Sequence, residues 1–282
     1  AMASDGAPAF LGNRAMFTFE VVGCDDELRV VRFTGREGVS ELFEFHLEIA
    51  APTIPLEGLV GKPAVLASEG AHGPRFVHGL VSEAGYIGES SSYTLYKLTL
   101  VPAIWRLRLR AGSRIFQQQT TPQILAKVLE TAGIPRGDVR FNLQASYTPR
   151  DYCVQYREND LDFICRLMED AGISYYFEHQ EDKDILVMSD RGDGGDPIAG
   201  EPTLRFASEH EDERISRFQL SESMRPQRVS LRDMNLHQPD QLMEASEGTG
   251  TELEVYDYPG AFQEVGKGAP QKGGQQARLR LE

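Results

Sequence analysis

The stretch DYCVQYRENDLDFICRLMEDAGISYYFEH, residues 151–179, combines acids, two cysteines, a histidine and four tyrosines. This composition is typical of a hydrolytic or metal site, so two hypotheses compete, a reactive centre and a piece of scaffold. The spacing of the residues predicts a helix. Asn159 suits its N-cap, and Gly172 suits the position just after its last turn. An aromatic strand, SYYFEH, is predicted to follow.

A helical projection at about 100° per residue separates the apolar side chains of this helix from the polar ones. The predicted apolar arc consists of Leu161, Phe163, Ile164, Cys165, Leu167, Met168 and Ala171. Asp162, Glu169 and Asp170 share the opposite sector with Arg166, and the helix dipole accounts for acids in the first turn, Asp160 included. A catalytic carboxylate pair needs two unlike environments. We therefore interpret the helix as scaffold and predict no catalytic residue.

The cysteines and histidines indicate no metal or nucleophilic site by spacing. Cys24, Cys153 and Cys165 form no CxxC pair, which favours reduced thiols. His179 has no second histidine near it in sequence, and HEDER (210–214) lacks the second histidine of a zinc-protease helix. A zinc site assembled only in three dimensions stays open.

The acidic loop DRGDGGDP (190–197) places its acids three apart, whereas an EF-hand needs them at positions 1, 3 and 5. A mobile acidic turn is the prediction, with adventitious calcium as the alternative. The sequence contains no GxSxG, GxxxxGK[ST] or GxGxxG motif. No cofactor and no metal are expected.

The bulk composition bounds the class of protein. The chain has 282 residues, a net charge of −14 and a pI near 5.0. This charge argues against binding to nucleic acid or to an anionic membrane. We see no Sec signal and no membrane span.

The pattern along the chain runs β, then α+β, then β. FEFHLEIA (43–50) alternates strictly, as a half-buried strand does, and strands are expected from 17 to about 102. TTPQILAKVLETAGIP (120–135) predicts a helix with Thr121 as N-cap, Pro122 first in the helix and Gly133 after its end. Further on, RISRFQLSE (214–222), RVSLRDMN (228–235) and ELEVYDY (252–258) predict strands, and GGQQARLRLE (273–282) predicts a short helix.

The opening stretch closely resembles the most recognisable segment of the VgrG family, the spike proteins of bacterial type VI secretion systems. The family pattern Q-Y-x-E-[ST]-D-x-x-F-x-x-R-L-x-E-x-x-G-I-x-Y-x-F falls on Gln155, Tyr156, Glu158, Asp160, Phe163, Arg166, Leu167, Glu169, Gly172, Ile173, Tyr175 and Phe177. Asn159 replaces the usual Ser or Thr, and all three residue types cap helices. LVGKPAVL, FVHGLVSEAG, LVPAIWRLRLRAGSRIFQ and VYDYPGAF resemble further family segments in the same order.

The resemblance implies a mixed β and α+β fold similar to a phage tail hub. Residues 1–16 are expected to be a disordered tail left from cloning. Residues 17–102 are expected to form a first β-barrel-like hub domain, 103–200 an α+β region with the signature helix, and 201–282 a second such domain with a C-terminal helix. The chain is expected to be the hub module of a longer protein.

The resemblance also implies a structural, non-enzymatic role as the hub that joins the Hcp tube hexamer to a puncturing needle. The implied partners are two further copies in a homotrimer, baseplate proteins, effectors or adaptors, and a PAAR tip protein held by a needle outside this sequence. The implied route is assembly in the bacterial cytoplasm followed by type VI secretion. Two alternatives stay open, a phage or phage-derived tail hub and an envelope-degrading hydrolase or effector that uses Glu158, Asp162 or Glu169.

Overall fold

The computed structural model describes residues 16–70, 73–89, 92–191, 217–235, 239–250, 252–260, 262 and 269–281. The chain divides into two compact units. The first comprises residues up to 168 and residues 173–217, and the second comprises residues 169–172 and 218–282. The expected N-terminal tail lies outside the described residues except for Met16, which begins the first strand.

The first unit begins with a six-stranded antiparallel sheet. Its strands are β1 (Met16–Val21), β2 (Arg29–Arg36), β3 (Glu44–Ala51), β4 (Pro63–Gly70), β5 (Gly73–Glu89) and β6 (Thr94–Val101). Their order in the sheet is β1-β4-β5-β6-β3-β2. The predicted run of strands before residue 102 is confirmed.

The sheet curls until its two edge strands approach each other. β1 and β2 lie at opposite ends of the strand order, yet the rings of Phe17 and Phe33 meet edge to face with 5.0 Å between their centroids. The core lies against alternate residues of the central strands, and the predicted inward set of FEFHLEIA, namely Phe43, Phe45, Leu47 and Ile49, is buried. The sheet is thus a curled half-barrel around an apolar core.

Helix α1 (Thr121–Thr131) begins one residue earlier than the sequence suggested. The N-cap is Thr120, not Thr121, because Gln123 lies three residues after Thr120 and completes a capping box. The backbone N–H of Gln123 donates to Thr120 Oγ1 over 3.4 Å, and the N–H of Thr120 donates to Gln123 Oε1 over 2.8 Å. Pro122 is therefore the second helical residue. Gly133, with φ of +75°, follows the helix end as predicted.

The rest of the first unit contains two small sheets and the signature helix. β7 (Ala111–Phe116) and β9 (Cys153–Asn159) form an antiparallel ribbon. β8 (Val139–Asn142), β10 (Ser174–His179) and β11 (Asp184–Ser189) form a sheet in the order β10-β11-β8. Helix α2 (Asp160–Ala171) directly follows β9.

The second unit is a small sheet with a helix. β12 (Arg228–Met234), β13 (Leu242–Gly248) and β14 (Glu254–Asp257) take the order β13-β12-β14, and α3 spans Ala269–Leu281. Its core contains Val229, Leu231, Met243, Phe262 and Ala277. The predicted strands RVSLRDMN and ELEVYDY are confirmed, and the C-terminal helix starts four residues before GGQQARLRLE.

One predicted strand is wrong where the structure describes it. Residues 217–222 of RISRFQLSE carry no strand, and Phe218 and Leu220 are 75% and 87% exposed. Alternation in sequence forms a strand only where a neighbouring strand and a buried face are available. Of the acidic turn DRGDGGDP, all but Asp190 and Arg191 lies outside the described residues. The described chain is mostly β, with a half-barrel sheet, smaller sheets and three α-helices.

Candidate functional site

The signature helix α2 begins at a cap made by one side chain. Asn159 Oδ1 accepts a hydrogen bond from the backbone N–H of Asp162 over 2.8 Å, and Asn159 Nδ2 donates to Asp162 Oδ2 over 2.7 Å. The first contact satisfies an N–H that the helix leaves without an intrahelical partner. The predicted N-cap is confirmed, and Asp162 serves the cap.

The end of α2 repeats the geometry found at the end of α1. Gly172 has φ of +66°, its N–H donates to Glu169 O over 3.2 Å, and the N–H of Ile173 donates to Met168 O over 2.9 Å. These two bonds define a Schellman motif, which needs a residue that tolerates positive φ. Gly172 and Ile173 of the signature therefore terminate the helix.

The buried face of α2 matches the predicted apolar arc in its central members. Leu161, Phe163, Ile164, Leu167 and Met168 are buried. Cys165 and Ala171, at the margins of the arc, are half-buried. The Phe163 ring stacks on Phe116 of β7 with 5.6 Å between centroids. This face anchors the helix in the core of the first unit.

Asp160 departs from its sequence interpretation. Its side chain is only 5% exposed and lies between two arginines, with Arg110 Nε 3.1 Å from Oδ2 and Arg114 Nη2 2.5 Å from Oδ1. The Gln155 side-chain amide also donates to Oδ1 over 2.9 Å. The helix dipole alone does not explain an acid at this depth. Burial of a carboxylate requires paired cations and hydrogen bonds.

Gln155 of β9 forms hydrogen bonds with both Arg114 and Asp160. It is fully buried, and its Oε1 accepts from Arg114 Nε over 2.7 Å while its Nε2 donates to both Asp160 and the Glu158 carbonyl. Arg114 and Gln155 are direct cross-strand partners in the β7–β9 ribbon. We call Arg110, Arg114, Gln155 and Asp160 the Asp160 network. Both Asp160 oxygens accept hydrogen bonds within it, so the carboxylate is held as an anchor.

A second ion pair fastens α2 to β9. Arg166 contacts Glu158 with both arms, Nη2 to Oε1 at 2.6 Å and Nε to Oε2 at 3.3 Å, and Nη2 also donates to the Val154 carbonyl over 3.3 Å. The guanidinium lies over the Phe163 ring, 5.4 Å from its centroid. A helical projection could not find this pair because Glu158 precedes the helix.

The three acids of the hydrolase hypothesis have separate surroundings. Glu158 binds Arg166, Asp162 binds Asn159, and Glu169 is exposed. Asp162 lines a cleft together with Glu41 and His46, but neither Glu158 nor Glu169 does. The three carboxylates thus do not converge on one cleft. Within the described residues, no group of three His, Cys, Asp or Glu side chains could hold a metal ion.

The aromatic strand β10 packs onto the half-barrel. The ring of Phe177 meets Phe43 edge to face at 5.0 Å, and Tyr175 is buried. Burial first, and then the charge interaction and hydrogen bond with Cys165, raise the pKa of the Tyr175 hydroxyl. By contrast Tyr156, on the outer face of the ribbon, is exposed, with Arg157 lying 5.3 Å from its ring centroid.

His179 forms a clamp that sequence spacing did not predict. Nδ1 lies 2.7 Å from Asp184 Oδ1, Nε2 lies 3.1 Å from Glu37 Oε2, and the ring packs against Phe43. Burial disfavours the charged imidazole, but hydrogen bonds to Asp184 and Glu37 outweigh it and raise the pKa of His179 to about 9. The protonated imidazole is a structural cation between two carboxylates. The clamp ties β10 and β11 to the connection after β2.

The described helices include none long and apolar enough to cross a membrane.

The family model of the phage tail baseplate hub (GPD) matches residues 36–282. The chain belongs to this baseplate hub family. Baseplate hub proteins are structural, and the paired state of Glu158 and Asp160 agrees with that role.

Relatives of this hub protein carry the name type VI secretion system spike protein. VgrG4b of Pseudomonas aeruginosa is 37% identical over 262 residues, which cover 89% of this chain and 32% of that protein. VgrG1a of the same organism is 35% identical over 271 residues, covering 91% of this chain and 41% of its own length. The hub chain therefore spans about a third to two fifths of these curated relatives. It is VgrG-like, as the signature indicated.

Solved structures agree with the hub fold. The E. coli c3393 protein, a component of the type VI secretion system, superposes with a TM-score of 0.60 at 27% identity, covering 64% of this chain and 50% of that one. A tail protein from Neisseria meningitidis has a TM-score of 0.59 at 12% identity, covering 95% and 78% of the two chains. The second likeness is one of fold alone.

The sequence could not identify Arg110, Arg114, Glu37 or Asp184 as partners of the signature. Arg114 and Asp160 are 46 residues apart in the chain. No local pattern relates them, because the β7–β9 pairing is what brings them together.

Proposed function

We propose that this chain is the structural hub of a type VI secretion spike, which joins the Hcp tube to the puncturing needle and carries effectors for contractile delivery. The match of the hub family model to residues 36–282 carries this proposal. Identities of 37% and 35% to named type VI spike proteins favour this system over a phage tail, for which the solved relatives support the fold alone.

The proposal includes the finer architecture expected from the resemblance. Residues 17–102 form the first tube domain and 201–282 the second, with the α+β region of 103–200 between them. The curled sheet supports the first assignment, and the β12–β14 sheet with α3 supports the second. In the longer protein the hub forms a homotrimer that contacts the Hcp hexamer and baseplate proteins, and the needle carries a PAAR tip protein.

Effector carriage is a further part of the proposed role. One relative, 38% identical over 190 residues, is named the actin cross-linking toxin VgrG1 of Vibrio cholerae, and the match covers 17% of that protein. A hub that accompanies other activities within one polypeptide is consistent with a carrier role. We propose that the protein is assembled in the cytoplasm and leaves the cell through the type VI machine.

Co-sedimentation tests the proposed binding of this chain to the Hcp tube. Assembled Hcp tubes and, separately, phage tail tubes from the same organism are pelleted with the purified chain, and the pellets are viewed by negative-stain electron microscopy. The proposal predicts that the chain pellets with Hcp and appears at tube ends. Co-sedimentation with the tail tube alone would support a phage hub, and binding to neither tube would contradict the proposed hub role.

A further inference from the structure

A large cleft in the first unit shares only Phe177 with the signature residues. It lies beside β1 and the β1–β2 connection, and its other walls come from β4, β5, the segment after β6 and β11. Its volume is about 1190 Å³. Small-molecule pockets usually measure roughly 300–1,000 Å³. The cleft is thus large enough for a segment of polypeptide.

The floor of the cleft is apolar. Val21, Leu28, Ile104, Ile134 and Leu186 line it, and each is largely buried. Phe17 and Val22, also in the lining, are 42% and 63% exposed. An occupant with apolar side chains would remove the surface of these two residues from water, which is favourable.

The walls of the cleft are acidic. Its lining includes seven carboxylates, against two arginines and one lysine. Asp25, Asp26 and Asp182 are exposed, and none of them forms an ion pair with any residue in the described part of the chain. Their charges are therefore available to a cationic occupant.

We propose that this cleft binds an extended basic segment of a partner protein, whose apolar side chains contact the floor and whose lysine or arginine side chains face the acidic walls. A second copy of this chain is a poor occupant because the chain carries a net charge of −14. The inference rests on the cleft and not on the proposed secretion role, so each can fail alone.

Fluorescence anisotropy with a labelled peptide tests the proposal. The probe is the hexapeptide KRLFRK, and two matched peptides are KRGSRK, which lacks the apolar pair, and EELFEE, which reverses the charge. Wild-type chain is expected to bind KRLFRK at least about tenfold more tightly than either control, with weaker binding at higher salt. Equal binding of KRGSRK would overturn the apolar contact, and equal binding of EELFEE would overturn the charge contact.

Substitutions locate the binding. The triple variant Asp25→Asn, Asp26→Asn, Asp182→Asn is expected to bind KRLFRK about tenfold more weakly, with an unchanged thermal midpoint because these side chains are exposed. The matched control Asp240→Asn, Glu247→Gln, Glu252→Gln removes the same charge from exposed sites in the second unit. Equal weakening in both triples, or none in the first, would contradict binding in the cleft.

Discussion

The side-chain amide of Gln155 donates to the carboxylate of Asp160 over 2.9 Å, and both side chains are buried. Gln155 lies on β9 and Asp160 opens α2, so this bond fixes the turn from strand to helix. Arg110 and Arg114 complete the charge balance. The buried carboxylate of Asp160 is therefore fully engaged in contacts that stabilise the fold.

Removal of the Asp160 carboxylate should destabilise the first unit. Asp160→Ala leaves Arg114 and Gln155 without their acceptor, and loss of one partner from a buried pair costs about 3–5 kcal/mol. We expect the low end, near 3 kcal/mol, because Arg110 and Arg114 are partly exposed. Urea unfolding followed by circular dichroism measures the loss. Glu169→Ala is the control and should change stability by less than about 0.5 kcal/mol.

Phe163 should be a core residue in energetic terms as well. It is fully buried and stacks on Phe116, so Phe163→Ala is expected to cost about 3–5 kcal/mol in the free energy of unfolding. Phe163→Leu retains most of the volume and should cost clearly less. A loss below about 1 kcal/mol in the alanine variant would show that the packing of α2 is not as described.

The cap of α2 should be worth about 1 kcal/mol. Asn159→Ala removes the acceptor for the Asp162 N–H, whereas Asn159→Ser retains a capping oxygen. The unfolding midpoint should fall for alanine and stay near the wild-type value for serine. Equal midpoints for the two variants would mean that the cap contributes nothing measurable.

The ion pairs of His179 with Asp184 and Glu37 should make the free energy of unfolding fall at alkaline pH. The folded pKa of about 9 exceeds the ordinary value of 6.5, so the folded state binds the proton more tightly. The stabilisation that His179 provides is fully present below about pH 6.5 and is lost as the pH rises through about 9. Urea midpoints from pH 6 to 10 should fall more steeply for wild type than for His179→Gln, and the exposed His46→Gln should follow wild type. Parallel curves for wild type and His179→Gln would refute the clamp.

The isolated chain should be a monomer or a weakly associated trimer in dilute solution. The needle implied by the VgrG resemblance would supply much of the trimer's stability, and a net charge of −14 opposes association of copies. Sedimentation velocity over a range of concentrations measures this. A stable trimer at nanomolar concentration would contradict the prediction.

Sequence reasoning reached the local structure of the signature but not its long-range partners. The alternation in FEFHLEIA and the apolar arc of α2 each predict the buried face of a single strand or helix. The buried residues confirm both predictions. Helix caps are also local features, although the N-cap of α1 is Thr120 and not the predicted Thr121, because Thr120 forms the capping box. Asp160 was assigned to the dipole because its arginine partners lie on and next to another strand. The strand predicted at 214–222 had alternation, but its described residues have no strand to pair with.

The most direct test of the proposed structural role is the amount of Hcp that cells release. In a strain lacking the full-length gene, complementation with the triple variant Glu158→Gln, Asp162→Asn, Glu169→Gln should restore Hcp secretion and any envelope-directed activity. Complementation with Asp160→Ala should fail because the hub is destabilised. Normal Hcp secretion by the triple variant together with loss of a hydrolytic activity would contradict the account, since those acids would then be reagents.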